Sequence, residues 1–198
     1  VLISLCFGFV FNSVQANNIA LALENAFGIN KLLIGLGLTA ITALIIFGGV
    51  KRIAKVSEVI VPVMAVAYII VALFVVIKNI TAVPAVFSLI VSSAFGLREA
   101  AAGGIGAALM MGIKRGLFSN EAGMGSAPNA AATAEVSHPV KQGLIQTLGV
   151  FTDTILICSA TAFIILLSGV YGTEGLTGIE LTQAALSAQV GGWATIFI

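Results

Sequence analysis

Between positions 102 and 135 an apolar run is interrupted by Lys114, Arg115, Ser119, Asn120 and Glu121, then by Gly123, Gly125, Ser126 and Pro128. Glycine lowers helix propensity, proline lacks an N–H, and Ser and Asn side chains compete for backbone hydrogen bonds. This pattern predicts two half-helices, at 102–117 and 127–135, joined by unwound backbone. Ser126 is the expected N-cap of the second half and Pro128 falls in its first turn. The chemistry on offer is binding. The carbonyl end of the first half carries partial negative charge and suits an ammonium group or Na⁺; the N–H end of the second suits a carboxylate. A zwitterionic amino acid presents both charges, and discontinuous helices of this kind build midplane sites in secondary transporters. From the residues alone, the break also reads as a helix-packing site, or as a loop ending one span. The company of Lys114, Arg115 and Glu121 favours function, because ionisable residues inside a membrane are costly.

Further polar groups lie on the neighbouring segments. Gln15 sits in a stripe with Asn12, Ser13, Asn17 and Asn18; a mid-helix amide is expected to face the bundle interior, either toward a ligand or in an interhelical hydrogen bond. Thr152 and Asp153, with Asn120, could supply oxygen ligands to an alkali cation. Unpaired cations at the depth of Lys114 and Arg115 cost about 2.5–3.5 kcal/mol each. They read either as an outer gate, Arg115 pairing with a carboxylate on another helix, or as a permanent ion pair with Glu121 or Asp153. Glu135 and His138 suggest a metal only superficially, since no second ligand pair accompanies them; a loop after a helix end is the better account. Gly103, Gly104 and Gly106 follow no strand, so close helix packing is preferred to a nucleotide loop. Cys6 and Cys158 read as small buried packing residues, with no disulfide or metal framework.

The elements that position these groups follow from composition. Of the 198 residues, 59% are hydrophobic and 9% charged, against about 45–50% and about 25% in a soluble domain. Mean hydropathy is +1.14. A chain this size could not hide so much apolar surface from water, and its long unbroken runs point to helices rather than a barrel. The net charge of +1, with no basic cluster beyond three residues, gives no footprint for nucleic acid. Helices are expected at 1–26, 32–50 and 59–77, the last with Pro62 in its first turn, and a short interfacial helix at 84–95. A long helix at 140–170 follows the break, then a polar stretch with a short helix at 181–190, and Trp193 begins another span. Lys51, Arg52 and Lys55 in a 51–58 loop, and Lys141 beside 135–141, mark both connections as cytoplasmic by the positive-inside rule. The ends already read as membrane helix and no signal-peptide pattern is present, so the chain is expected to be a fragment of a single transporter domain.

The segment KRGLFSNEAGMGSAPNAAA resembles the signature of the alanine/glycine:cation symporter family, also known as the sodium:alanine symporters or amino acid carrier proteins. The likeness extends to FNSVQANNIA, GGVKRIAKVSEVIVPVMA and FTDTILICSATAFIILLSG, and its most specific part is FSNEAGMGSAP. Asn129 departs from the family, standing where a hydrophobic residue is expected. The resemblance implies an all-α membrane protein with a leucine-transporter-type inverted-repeat fold. This chain would supply core helices three to seven and the start of the eighth: five spans plus the start of a sixth, with one span discontinuous. It also implies that Gln15, Phe118, Ser119, Asn120 and Gly123 line an amino-acid pocket. The function implied is Na⁺-coupled symport of alanine or glycine in a prokaryotic plasma membrane, by alternating access, with Na⁺ as coupling ion and no organic cofactor. A proton-coupled carrier, a channel-like protein and an intramembrane enzyme using Glu121 or Asp153 remain as alternatives. An enzyme would need a second catalytic group, and no Ser/His or metal constellation provides one. The sequence does not fix the oligomeric state.

Overall fold

Apolar runs of this length fold as helices because only a helix satisfies its own backbone without water. The computed structural model describes residues 2–94, 105–121, 123–173 and 175–198, and among these every regular element is helical. Helix α1 spans Leu2–Phe27, α2 Lys31–Ile46, α3 Val50–Lys78, α4 Val83–Ala94, α5 Ile105–Ser119, α6 Ser126–Ala131 and α7 Pro139–Leu167. Two short helices follow, α8 at Gly178–Val190 and α9 at Ala194–Phe197. Of these, α1, α3 and α7 are long and apolar enough to cross a membrane. At most 11% of the apolar window of each is buried, so their hydrophobic faces look outward, toward a solvent that cannot be water. On α1, Leu2 is 83% and Phe9 71% exposed, and Phe47, in the turn after α2, is 90% exposed.

The chain divides into two units, Val1–Ile77 with Thr161–Ile198, and Lys78–Ala160. In the first unit, α1 ends on Gly28, which takes a left-handed φ of 68° and returns its N–H to Glu24 O at 2.7 Å. Asn30 then caps α2, its side chain accepting from Leu32 N at 2.8 Å. Lys31 and Glu24 pair across this turn at 3.1 Å. The buried cluster of this unit is made of small and branched side chains, Ala20, Ala22, Ala72, Val75, Ile164, Ala185 and Leu186 among them. Tyr68 of α3 and Thr161 of α7 share a hydroxyl hydrogen bond of 2.7 Å.

The polar centre of that unit is Gln183 on α8, 3% exposed. Its Nε2 donates to the carbonyls of Ala22 (3.1 Å) and Thr195 (3.2 Å), and its Oε1 accepts from Asn25 Nδ2 at 3.2 Å. Gln189 Nε2 donates to Leu167 O at 2.7 Å, where α7 ends. The polar stretch around 181–190 is therefore a helix hydrogen-bonded to α1 and to the end of α7.

Several expectations need correction. Residues 51–58 are not a loop but the opening turns of α3, which runs unbroken for 29 residues. The reason is local: Lys, Arg, Ala and Glu favour helix, and the chain reverses earlier, at Gly49 with φ 78°. Pro62 consequently lies well inside α3 rather than in its first turn. Helix α2 stops at Ile46, not 50, for the same glycines. Cys6 and Cys158 are exposed rather than buried. Two stretches inside long helices, Cys6–Phe11 in α1 and Thr152–Cys158 in α7, are wound as π-helix, which hydrophobic periodicity does not reveal. Gly103, Gly104, Glu174 and the end of the expected interfacial helix at Phe95 lie outside the described residues.

Removing the Gln183 amide leaves the Asn25 amide without its partner and takes a side-chain donor from two carbonyls, which costs about 1–3 kcal/mol. Gln183→Leu is expected to speed hydrogen–deuterium exchange across 178–190. Gln183→Glu is expected to speed it further, since carboxylate oxygens would face the carbonyls of Ala22 and Thr195.

Candidate functional site

The break foreseen between 117 and 127 is present, and its outline follows from backbone chirality. Helix α5 ends at Ser119; Glu121 then adopts φ 51°, Gly123 φ 80° and Gly125 φ 83°. Glycine takes such angles freely, whereas a left-handed L-residue costs about 1–2 kcal/mol. Glu121 is the described non-glycine residue that bears this strain. Its carboxylate accepts a short hydrogen bond from Ser126 Oγ, and Met124 N donates to its carbonyl at 3.2 Å. The Ser126 hydroxyl thus bonds back across the break instead of capping α6. Gly125 occupies the N-cap position, and Ser126 is the first helical residue. The second half-helix is also shorter than expected, six residues ending at Ala131 rather than reaching 135. Asn129 folds back on the same cap, Nδ2 donating to Gly125 O at 2.7 Å.

The carbonyl end of α5 faces the π stretch of α7 through two side-chain bonds within the second unit. Ser119 Oγ donates to Asp153 Oδ2 at 2.6 Å, and Thr154 Oγ1 donates to Asn120 Oδ1 at 3.0 Å. The Asn120 amide nitrogen donates back to Gly116 O at 2.9 Å. Cys158 lies beside the first of these pairs, its Sγ 3.3 Å from Ser119 Oγ and 3.9 Å from Asp153 Oδ2. On an α-helix neighbouring side chains diverge by about 100°. A π stretch turns less per residue, which lets Asp153 and Thr154 both reach the end of α5.

Of the residues singled out from sequence, Ser119, Asn120 and Asp153 are thus brought together. Thr152 is not among them: its hydroxyl donates to Leu148 O of its own helix at 2.9 Å. Thr154 stands in its place, and Cys158 joins it; both were missed. The signal for Thr154 was its side-chain type alone, two residues beyond Thr152. Phe118 is about half exposed, at 49%. A Cβ built on Gly123 would meet nothing within 4 Å. Lys114 and Arg115 are exposed, and among the described residues neither forms an ion pair with Glu121 or Asp153, whose carboxylates are engaged by hydroxyls.

Gln15 belongs to the other unit. It lines a groove of about 490 Å³ with Asn18, Ile19, Ala22, Gly178, Ile179, Thr182 and Ile198. Gln15 is exposed in this open, partly polar groove between α1 and α8, not turned into a bundle interior. His138 accepts from Val140 N at 3.2 Å as the N-cap of α7, a structural task. Among the described residues no group of three His, Cys, Asp or Glu side chains is placed to hold a metal.

Long outward-facing apolar helices and a discontinuous helix with hydroxyl, amide and carboxylate groups at its break define an integral membrane protein. The chain matches the sodium:alanine symporter family over residues 1–198, and it belongs to that family. It is 65% identical over 198 residues to a Bacillus subtilis protein named probable sodium/glutamine symporter GlnT, covering all of this chain and 41% of the relative. It is 60% identical to the amino-acid carrier protein AlsT of the same organism, again over the whole chain and 42% of the relative. Against the sodium/alanine symporter AgcS of Methanococcus maripaludis it is 44% identical over 177 residues, 89% of this chain and 39% of the relative. The chain therefore spans about two fifths of the length of these relatives. The family and these relatives are transporters by name, not enzymes.

Because the space around Gly123 is open, an added methyl there strains only the backbone. Gly123→Ala is expected to destabilise the folded protein by about 1–2 kcal/mol. Gly116→Ala, inside α5 with equally open surroundings, is expected to be neutral or mildly stabilising. Thermal unfolding of the two variants in detergent compares them directly.

Proposed function

We propose that this chain is part of a carrier that couples uptake of a small neutral amino acid, alanine or glycine, to the inward movement of Na⁺ by alternating access. The observation that supports this most is the broken helix at Phe118–Gly125 in a chain of the sodium:alanine symporter family. Unwound backbone at membrane depth is tolerated where it is buried in protein or lines a watered cavity, and there half-helix ends can meet substrate and ion. Phe118, Ser119, Asn120 and Gly123 bind the amino acid, and Gln15 also contributes to its recognition. Asn120 and Asp153 offer oxygen ligands to the cation; Thr152 offers its oxygen only if its hydroxyl leaves the carbonyl of Leu148. Lys114, Arg115 and Glu121 serve gating, exchanging partners as the site opens and closes.

The fold we assign is the leucine-transporter type, with this chain contributing core helices three to seven and the start of the eighth to one transporter domain. In that frame α5 and α6 are the discontinuous sixth core helix. The chain lies in a prokaryotic plasma membrane, with the start of α3 and the 135–141 connection on the cytoplasmic side. The 29 residues of α3 extend about 43 Å, longer than a hydrocarbon core of about 30 Å. Lys51, Arg52 and Lys55 in its opening turns can therefore stand among lipid headgroups or beyond, which keeps the positive-inside argument although the loop has become helix.

A second reading of the substrate is glutamine, because the 65% identical relative bears that name. The full-length protein reconstituted into proteoliposomes separates these readings. Labelled alanine or glycine is expected to accumulate when an inward Na⁺ gradient is imposed, and to stop when the gradient is collapsed. Accumulation driven by a proton gradient alone, or a preference for glutamine in competition, would replace the coupling ion or the substrate. Current without saturation would mean a channel.

A further inference from the structure

Most helical threonines here spend their hydroxyl proton on their own helix. Thr39, Thr147, Thr152 and Thr182 each donate to the carbonyl four residues back, at 2.8–3.2 Å. Thr154 departs from this habit. It lies in the π stretch of α7, and its hydroxyl donates to Asn120 Oδ1 at 3.0 Å, at the residue immediately after α5.

The second bond of that amide fixes its sense. Asn120 Nδ2 donates to Gly116 O at 2.9 Å. Turning the amide over would set its oxygen against the Gly116 carbonyl, two acceptors with no proton between them. The Gly116 carbonyl, which can only accept, thus selects the orientation, and the Thr154 hydroxyl adds a second bond that holds the amide in place. A primary amide has two donor protons and two acceptor lone pairs. With one of each engaged, Asn120 keeps one N–H and one lone pair. A donor and an acceptor held a fixed distance apart suit a zwitterion, whose ammonium donates and whose carboxylate accepts.

We propose that Thr154 is a positioning residue for substrate recognition, holding the Asn120 amide in the orientation in which the amino acid meets it. This rests on the reading above that Asn120 contributes to the amino-acid pocket. Without the Thr154 hydroxyl the amide keeps only its bond to Gly116, and the amino acid has to order it on binding. The loss falls on affinity. The hydroxyl, not the methyl, carries the effect, so serine replaces threonine and valine does not. Ser119 and Asp153 bond alongside and keep α5 against α7 when the Thr154 bond is lost.

The test is alanine uptake by the full-length protein in proteoliposomes, reading KM and maximal rate separately. Thr154→Val is expected to raise KM about 3- to 10-fold, the range of one modest hydrogen bond, with the maximal rate per folded molecule within about twofold. Thr154→Ser should restore KM. Asn120→Ala should raise KM at least as much, and adding Thr154→Val to it should change nothing further. KM does not depend on how much protein folds, so a purely structural role would lower the maximal rate and leave KM in place. That outcome overturns the proposal, as does an increment from Thr154→Val that persists in the Asn120→Ala background. If Asn120→Ala leaves KM untouched, the pocket assignment of Asn120 fails and this proposal falls with it. If Asn120→Ala raises KM and Thr154→Val does not, the pocket stands and only the positioning role is lost.

Discussion

A helix that stops inside a bilayer leaves N–H and C=O groups with no water to meet them, and each such group costs several kcal/mol. In the reading proposed above, the stretch between Ser119 and Ser126 has to answer that demand, and the bonds around it are its answer. Asn120 N returns to Gly116 O, Glu121 N to Phe118 O and Met124 N to Glu121 O, so the chain turns while keeping much of its backbone paired. Side chains then brace the turn: Ser126 on Glu121, Asn129 on Gly125 and Asn120 on Gly116. The unusual residue types of the segment follow from this one requirement. Glycines supply left-handed angles, and short amides and hydroxyls supply the partners that a continuous helix would have found in its own backbone.

The same requirement reaches into α7. Side chains at the end of α5 need partners of matching polarity, and two consecutive residues of one ordinary helix diverge by about 100°. Seven residues wound as π-helix, Thr152–Cys158, change the local turn so that Asp153 meets Ser119 and Thr154 meets Asn120. The price is a local loss of regular i→i−4 bonding in α7. Ser159 Oγ, donating to Thr154 O at 3.3 Å, meets one carbonyl of this stretch.

How much of this was legible depends on which signal each feature leaves. Long apolar runs and the Gly-Ser-Pro interruption stand in composition, so the helical class and the location of the break were readable. Boundaries were less so. Lys51, Arg52 and Lys55 read as a loop because charge usually marks solvent, yet these side chains are also good helix formers, and the actual reversal lies at Gly48–Gly49. Ser126 looked like an N-cap because capping preference is local, and its hydroxyl was claimed by Glu121, a competition that depends on the fold of the break. Thr154 could not be separated from Thr152 at all. The choice between them is made by the π winding, and no periodicity in the sequence encodes it. Gln183 lies in the short helix expected at 181–190, but nothing in the sequence distinguishes it as the buried centre of its unit.

The two units differ in how they are held, and the difference bears on the transport proposed above. Among the described residues, Val1–Ile77 with Thr161–Ile198 contains nearly all of the buried apolar side chains, whereas Lys78–Ala160 buries only Val86. Around the break, side-chain hydrogen bonds therefore do much of the work that packing does elsewhere. Packed cores resist displacement because every shift opens voids. Hydrogen bonds contribute about 0.5–1.5 kcal/mol each in net terms and can be exchanged one for another, including for bonds to a bound amino acid or ion. A segment braced in this way can change partners without dismantling a core. In the role proposed for Ser119, Asn120 and Asp153, the groups that hold the break together are of the same chemical kind as those that would bind an amino acid or ion.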